Sequence, residues 1–234
     1  MMKMREEFET APRSRDGRVA VATLVLLMGI LVWEASGGDM AMARAFGGAG
    51  GFAWRDHWLF TAVLHEGGRR ASWALALFLC LGAWWPVGVL RRINLSRRLQ
   101  LVVTAMTASA VVALIKSASA FSCPWDMQAF GGLAHHVPHW QPWGLPDGGS
   151  GHCFPAGHAS AGFAFVAGWF AFRDSPRVAN MWLCSAISAG LIFGLAQQVR
   201  GAHFMSHTLW TGWICWVVAW CMDAVWPRLA EVLA

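Results

Sequence analysis

Apolar residues run through this chain in long blocks broken by short polar stops, and the spacing of those blocks predicts helices rather than strands. The first block, Val19–Trp33, is followed by a Gly-rich stretch. Phe52–His65 (FAWRDHWLFTAVLH) then places apolar residues at helical spacing with charges between them, the pattern of a helix lying in a membrane interface. Ala71–Leu90 is a second apolar block, which Pro86 would kink. Leu99–Ile115, His158–Phe172, Met181–Ala196 and Thr208–Trp226 follow. Each full block approaches the roughly 20 residues that a hydrocarbon core requires. The prediction is an all-α bundle of six transmembrane helices, with an interfacial helix between spans one and two. Met1–Arg18 reads as a cytoplasmic N-terminal arm of five basic and four acidic residues, and residues 19–234 as one integral-membrane domain.

Composition supports the membrane reading. The chain is 56% hydrophobic and 13% charged, with 16 Trp and no Tyr. A soluble domain carries about 25% charged residues. The net charge of +5 comes without a clustered basic stripe, which argues against nucleic acid as a partner. Basic residues instead mark orientation. The arm, the turn carrying Arg91, Arg92, Arg97 and Arg98, and Arg173–Arg177 fall on one side if six spans alternate. The positive-inside rule makes that side cytoplasmic, although Arg44, Arg55, Arg69 and Arg70 dilute the asymmetry.

The same alternation brings three chemically distinctive stretches to the opposite face. They are Lys116–Asp126 (KSASAFSCPWD), Gly151–His158 (GHCFPAGH) and Gln197–His207 (QQVRGAHFMSH). Together they supply a lysine, an arginine and several histidines without a matching cluster of carboxylates. That donor set suits holding a phosphate and attacking it. Gly157 and His158 stand at a helix start, where unpaired N–H groups and the helix dipole favour an anion. Cys123 and Cys153 lie in the long polar loop, where a disulfide would pin the Lys116 segment to the GHCFPAGH turn. Two reduced thiols are the alternative, since spacing does not fix geometry. Cys80, Cys184, Cys215 and Cys221 sit inside apolar blocks as small hydrophobes. His135, His136, His139 and His152 read as loop or headgroup-contacting histidines rather than metal ligands, and Trp140 and Trp143 as part of an aromatic belt. Trp125 and Asp126 shape the turn after Pro124, and the sequence leaves open whether Asp126 reaches the site.

The motif order resembles that of the type-2 phosphatidic acid phosphatase superfamily, membrane branch, whose patterns are Lys-x6-Arg-Pro, Pro-Ser-Gly-His and Ser-Arg-x5-His-x3-Asp. Here they read Lys116-x6-Cys123-Pro124, Pro155-Ala156-Gly157-His158 and Ala196-Gln197-x5-His203-x3-His207. Cys123 and Gln197 replace phosphate-binding arginines, Ala156 replaces a serine, and His207 replaces the carboxylate that orients the nucleophile. Arg200, three residues after Gln197, could return one guanidinium to the same helix face.

The resemblance implies a metal-independent, cofactor-free lipid phosphatase of a bacterial inner membrane with its active site facing the periplasm. It implies that His203 attacks phosphorus to form a phosphohistidine and that His207 holds the Nδ1 proton of His203. It also implies that protonated His158 serves the leaving oxygen, while Lys116, Arg200, Gln197 and the N–H groups at Gly157 bind the phosphate. Candidate substrates are undecaprenyl diphosphate, phosphatidic acid, phosphatidylglycerol phosphate and lipid A. The alternatives are a phosphotransferase passing the phosphoryl group to another lipid, or a non-catalytic membrane scaffold or metal/cofactor binder.

Overall fold

The computed structural model describes residues 3–138 and 146–232. His139, Trp140 and Trp143 lie outside the described residues. Helix α1 (Lys3–Ala35) is followed by a short helix α2 (Gly38–Phe46) and a two-stranded hairpin, β1 (Gly47–Gly48) and β2 (Gly51–Phe52). A π-helix (Leu59–Gly67) leads directly into α3 (Gly68–Trp84). Next come α4 (Leu95–Ser117), the short α5 (Ser160–Phe163) and α6 (Ala167–Ala171), and then α7 (Pro176–Val199) and α8 (Met205–Val232). Local chemistry accounts for several boundaries. The Asn94 side chain accepts a hydrogen bond from Arg97 N at 2.9 Å and caps α4. Pro176 occupies the first turn of α7, where its missing N–H costs nothing.

Five helices among the described residues are long and apolar enough to cross a membrane: Asp16–Ala35, Leu59–Arg92, Leu95–Ser117, Pro176–Val199 and Met205–Glu231. This is one fewer than the six expected. The sixth expected block, His158–Phe172, still runs from the histidine end toward Arg173 beside Asp223, but as a chain of short pieces: a 3-10 turn (Gly157–Ala159), α5, a second 3-10 turn (Ala164–Val166) and α6. Its side chains are core rather than lipid-facing, with Phe163, Ala164, Phe165, Val166, Ala167, Phe170 and Phe172 all buried. Small residues bring the neighbouring helices in close. A Cβ on Gly162 would fall 2.2 Å from Gly190 N, so α5 and α7 meet backbone to backbone.

The expected interfacial helix at Phe52–His65 is also replaced. Phe52 closes the hairpin and packs on Phe130 at 4.8 Å between ring centroids, while the residues from Leu59 onward are the first turns of the second span. The break comes at Phe52 because its ring is buried beneath the Gly201 turn; a Cβ at Gly201 would lie 2.3 Å from Phe52 Cδ2. Pro86 does not kink a continuous helix, because α3 ends at Trp84 before it. At the other terminus, the charged N-terminal segment continues into the first span as a single helix from Lys3.

The outer faces carry exposed apolar side chains, among them Val21, Leu24, Val25, Met28 and Val32 on α1, and Trp73, Leu77, Phe78 and Leu81 on α3. Tryptophans also bond between helices. Trp213 Nε1 donates to Thr23 O at 3.1 Å, Trp216 Nε1 to Thr23 Oγ1 at 2.8 Å and Trp210 Nε1 to Glu34 Oε1 at 2.7 Å. Spaced by three, they form one stripe of α8 that satisfies its indole donors on α1. One end of the bundle is tied by Asp223, which accepts from Arg97 Nη1 at 3.1 Å, from Gln100 Nε2 at 2.8 Å and from Arg173 Nη2. The opposite end carries the histidines.

Candidate active site

Three separate stretches deliver the site. Lys116 ends α4, where the unpaired carbonyls of the last turn favour a cation. Its ammonium donates to His152 O at 2.5 Å. A Cβ on Gly157 would stand 3.4 Å from Lys116 Cδ, so the glycine gives the lysine stem room to cross the start of the buried helices. His158 follows in the same turn. Its Nδ1 is buried with no hydrogen-bond partner in the described residues.

Gly201, at φ 75°, makes the tight turn between α7 and α8 that only a residue without a Cβ adopts cheaply. Arg200 stands just before that turn. It is held twice, donating from Nη1 to Gln197 Oε1 at 3.0 Å and from Nε to Arg55 O at 2.8 Å. Gln197 is thus the partner of Arg200, and its own Nε2 is buried without a partner among the described residues. His203 is buried after the turn, with its ring centroid 6.5 Å from that of His158. His207 opens the first turn of α8, and its Nδ1 lies 3.4 Å from His203 Nδ1.

Backbone hydrogen bonds lock the three stretches to one another. Trp125 N donates to Gly201 O at 2.9 Å, Cys153 N to Phe121 O at 2.8 Å and Ala156 N to His207 O at 3.2 Å. Cys123 and Cys153 form a disulfide between the first two. Asp126 is occupied in the loop, where it accepts from Ser150 Oγ at 2.9 Å. His135 lies against Gln128, and His136 packs on Phe204.

Electrostatics favour the unprotonated histidines. Burial first, then the Lys116 ammonium and His158, hold His203 well below its ordinary value. Burial, then His65, Lys116 and Arg200, bring His158 down to about 4. That value favours the uncharged form of His158 at pH 7 in the free protein. Cys153 Sγ, His203 and His207 also lie within 4.8 Å of one another, a metal-like spacing. The disulfide engages that sulfur and leaves two imidazoles, a poor donor set for a metal.

Two residues at this end carry no motif. Asp39, buried on α2, accepts from Ser206 N at 2.9 Å, from Ser206 Oγ and from Trp33 Nε1 at 2.8 Å, and so anchors the first turn of α8 beside His207. His65, at the end of the π-helix, stacks on His158 with 3.9 Å between ring centroids. A lone carboxylate in a Gly-rich stretch and a histidine closing an apolar run offer no spacing that would single them out.

The pattern of the PAP2 superfamily matches residues 97–230, more than half of the chain and all three motif stretches. The chain belongs to the PAP2 superfamily. No curated protein and no solved structure matches it. As a PAP2 protein with five membrane-length apolar helices, it is an integral-membrane phosphatase. The PAP2 match begins at Arg97 in the first turns of α4 and ends near the last turns of α8, so α1 to α3, including Asp39 and His65, lie outside it.

Proposed function

We propose that the protein hydrolyses a phosphate monoester or diphosphate on a membrane lipid through a phosphohistidine on His203. The observation that carries the reading is the convergence of Lys116, His158, Arg200, His203 and His207 at one end of an apolar bundle. Neutral His203 donates its Nδ1 proton to His207 and keeps the Nε2 lone pair for phosphorus. The Nε2–P bond forms as the P–O bond to the lipid breaks. His158 gives its proton to the departing oxygen, then takes one from the water that attacks phosphorus, and the N–P bond breaks to release phosphate. Lys116, Arg200 and the first-turn N–H groups at Gly157 balance the charge gathering on the phosphoryl oxygens. The proton on His158 arrives with the substrate, since a phosphate anion against the imidazole stabilises its charged form.

A lipid substrate is supported by a groove of about 700 Å³ between α3, α5 and α7. Leu75, Phe165, Met181, Ser185 and Phe193 line it, and it begins at Gly68, three residues from His65. A groove of that lining beside a phosphate site takes a hydrocarbon tail. The basic residues of the N-terminal arm, of the Arg91–Arg98 turn and of Arg173–Arg177 support, by the positive-inside rule, a site facing the periplasm of a bacterial inner membrane.

The test is phosphate release by the detergent-purified protein with EDTA present. Undecaprenyl diphosphate, phosphatidic acid and lipid A are the substrates, and His203→Ala is the control. Release by the unaltered chain that disappears in the variant supports the reading. Equal release from both proteins on every substrate overturns it.

A further inference from the structure

The ring nearest to His158 is not His203 but His65. The His65 and His158 centroids are 3.9 Å apart with planes tilted by 35°, against 6.5 Å from His158 to His203. An imidazole that must present one nitrogen to a leaving group is usually oriented by a hydrogen bond at the other. His158 has none at Nδ1, so something else has to set its plane.

His65 is itself well held. Its Nδ1 lies 3.2 Å from Glu66 Oε1, and Glu66 Oε2 accepts from Arg69 Nη2 at 2.9 Å. Three residues beyond His65, Gly68 lies flat on α7; a Cβ there would stand 2.6 Å from Phe193 Cε1. The wide π-turn that carries His65 is therefore pressed against α7, and such turns recur where a helix must aim a side chain.

We propose that His65 is a positioning residue for His158, holding the plane of its ring by face contact and being held in turn by Glu66. The inference rests on the phosphatase reading and extends the working site to the π-helix that precedes α3. It also has a consequence for charge. Two imidazolium rings at this distance repel, so the pair carries at most one proton. The charged groups facing the pair are Glu66 and Arg69 from the π-helix and α3, Lys116 from α4 and Arg200 after α7. Glu66 favours the charge on His65, and an arriving phosphate favours it on His158.

The experiment compares His65→Ala, His65→Phe and Glu66→Gln in the full chain, following phosphate release from the three lipids named above across pH. Removing the ring in His65→Ala lowers kcat about ten- to a hundredfold with KM changed less than about twofold. His65→Phe keeps the flat face without the charge. It retains kcat to within about threefold, and the basic limb of its kcat profile moves to higher pH because His158 holds its proton longer. Glu66→Gln removes the carboxylate that favours the charge on His65, which relieves the repulsion on His158 and moves the same limb to higher pH as well. If His65→Ala fails to fold, the Phe and Gln variants still read the limb. Rates and profiles like the unaltered chain in all three variants overturn the inference, as does an equal loss in Ala and Phe with an unmoved profile. His203→Ala separates the two failures: release lost there alongside unaffected His65 variants sinks only the role of His65, whereas release retained sinks the phosphatase reading itself.

Discussion

His203 and His207, four residues apart, face each other Nδ1 to Nδ1 at 3.4 Å. The contact puts an imidazole where the family pattern has a carboxylate. It can fix the tautomer of His203, but it stabilises a cation on that ring less than a negative charge would. His207→Asp is expected to raise kcat at pH 7 about fivefold, the effect of roughly 1 kcal/mol from a charge-assisted bond. His207→Ala, which removes the acceptor, is expected to lower it about a hundredfold. Steady-state rates of the two variants, compared with thermal melts for folding, check both. An Asp variant no faster than the Ala variant would show that His207 does not act through His203.

Burial and neighbouring cations push His158 down to about 4, below the ordinary 6.5, which makes anion binding a proton-linked event. A bound phosphate dianion raises that value, so between the two values the complex holds more protons than its parts. Vanadate or phosphate binding near pH 6.5 is expected to take up protons, and His158→Gln to abolish the uptake. Calorimetry in buffers of different ionisation enthalpy measures it directly. Binding with no buffer dependence would contradict the linkage.

The same depressed values bear on stability. His158 and His203 bind protons less readily folded than unfolded, so their neutral forms contribute stability fully above about pH 6.5. That contribution is lost as pH falls toward about 4, where His158 titrates in the folded chain. The melting temperature in detergent is expected to drop over that interval, and to drop less in His158→Gln. A flat melting profile between those limits would count against the buried neutral histidines.

The Cys123–Cys153 bridge closes a 30-residue separation. By chain entropy such a loop contributes about 3–4 kcal/mol against unfolding. Cys123→Ser with Cys153→Ser is expected to lower the melting temperature and to cost activity, because the Lys116 segment and the His158 turn lose their covalent tie. Mass spectrometry with and without reductant confirms the bridge, and phosphate release measures the cost. Activity unchanged after full reduction would show that the backbone bonds from Cys153 to Phe121 and from Trp125 to Gly201 hold the site unaided.

Filling the groove between α3 and α7 distinguishes tail binding from phosphate binding. Ser185 lines it on the exposed side, so Ser185→Trp blocks it without entering the core. KM for a long-chain lipid phosphate is expected to rise about tenfold or more, while turnover of a short-chain, water-soluble phosphate ester stays within about twofold. Equal effects on both substrates would place the tail elsewhere.

The spacing of apolar blocks alone determined a helical membrane chain and the approximate limits of α4, α7 and α8. Motif order alone brought Lys116, His158, Arg200, His203 and His207 forward as one site, because those residues are close in sequence to the helix ends that carry them. Hydropathy could not distinguish the buried run after His158 from a lipid-facing span, since a core helix and a membrane helix are equally apolar. The burial of Phe163, Phe165, Phe170 and Phe172, with the packing of Gly162 on Gly190, shows that other helices surround it. Nor could periodicity reveal that the segment before Gly68 is the wide first turns of α3, or that its last histidine rests on His158. Asp39 and Ser206 are 167 positions apart, as Trp210 and Glu34 are 176 apart. A local pattern records what a residue does to its own helix; which distant side chain it meets is decided when the whole bundle closes.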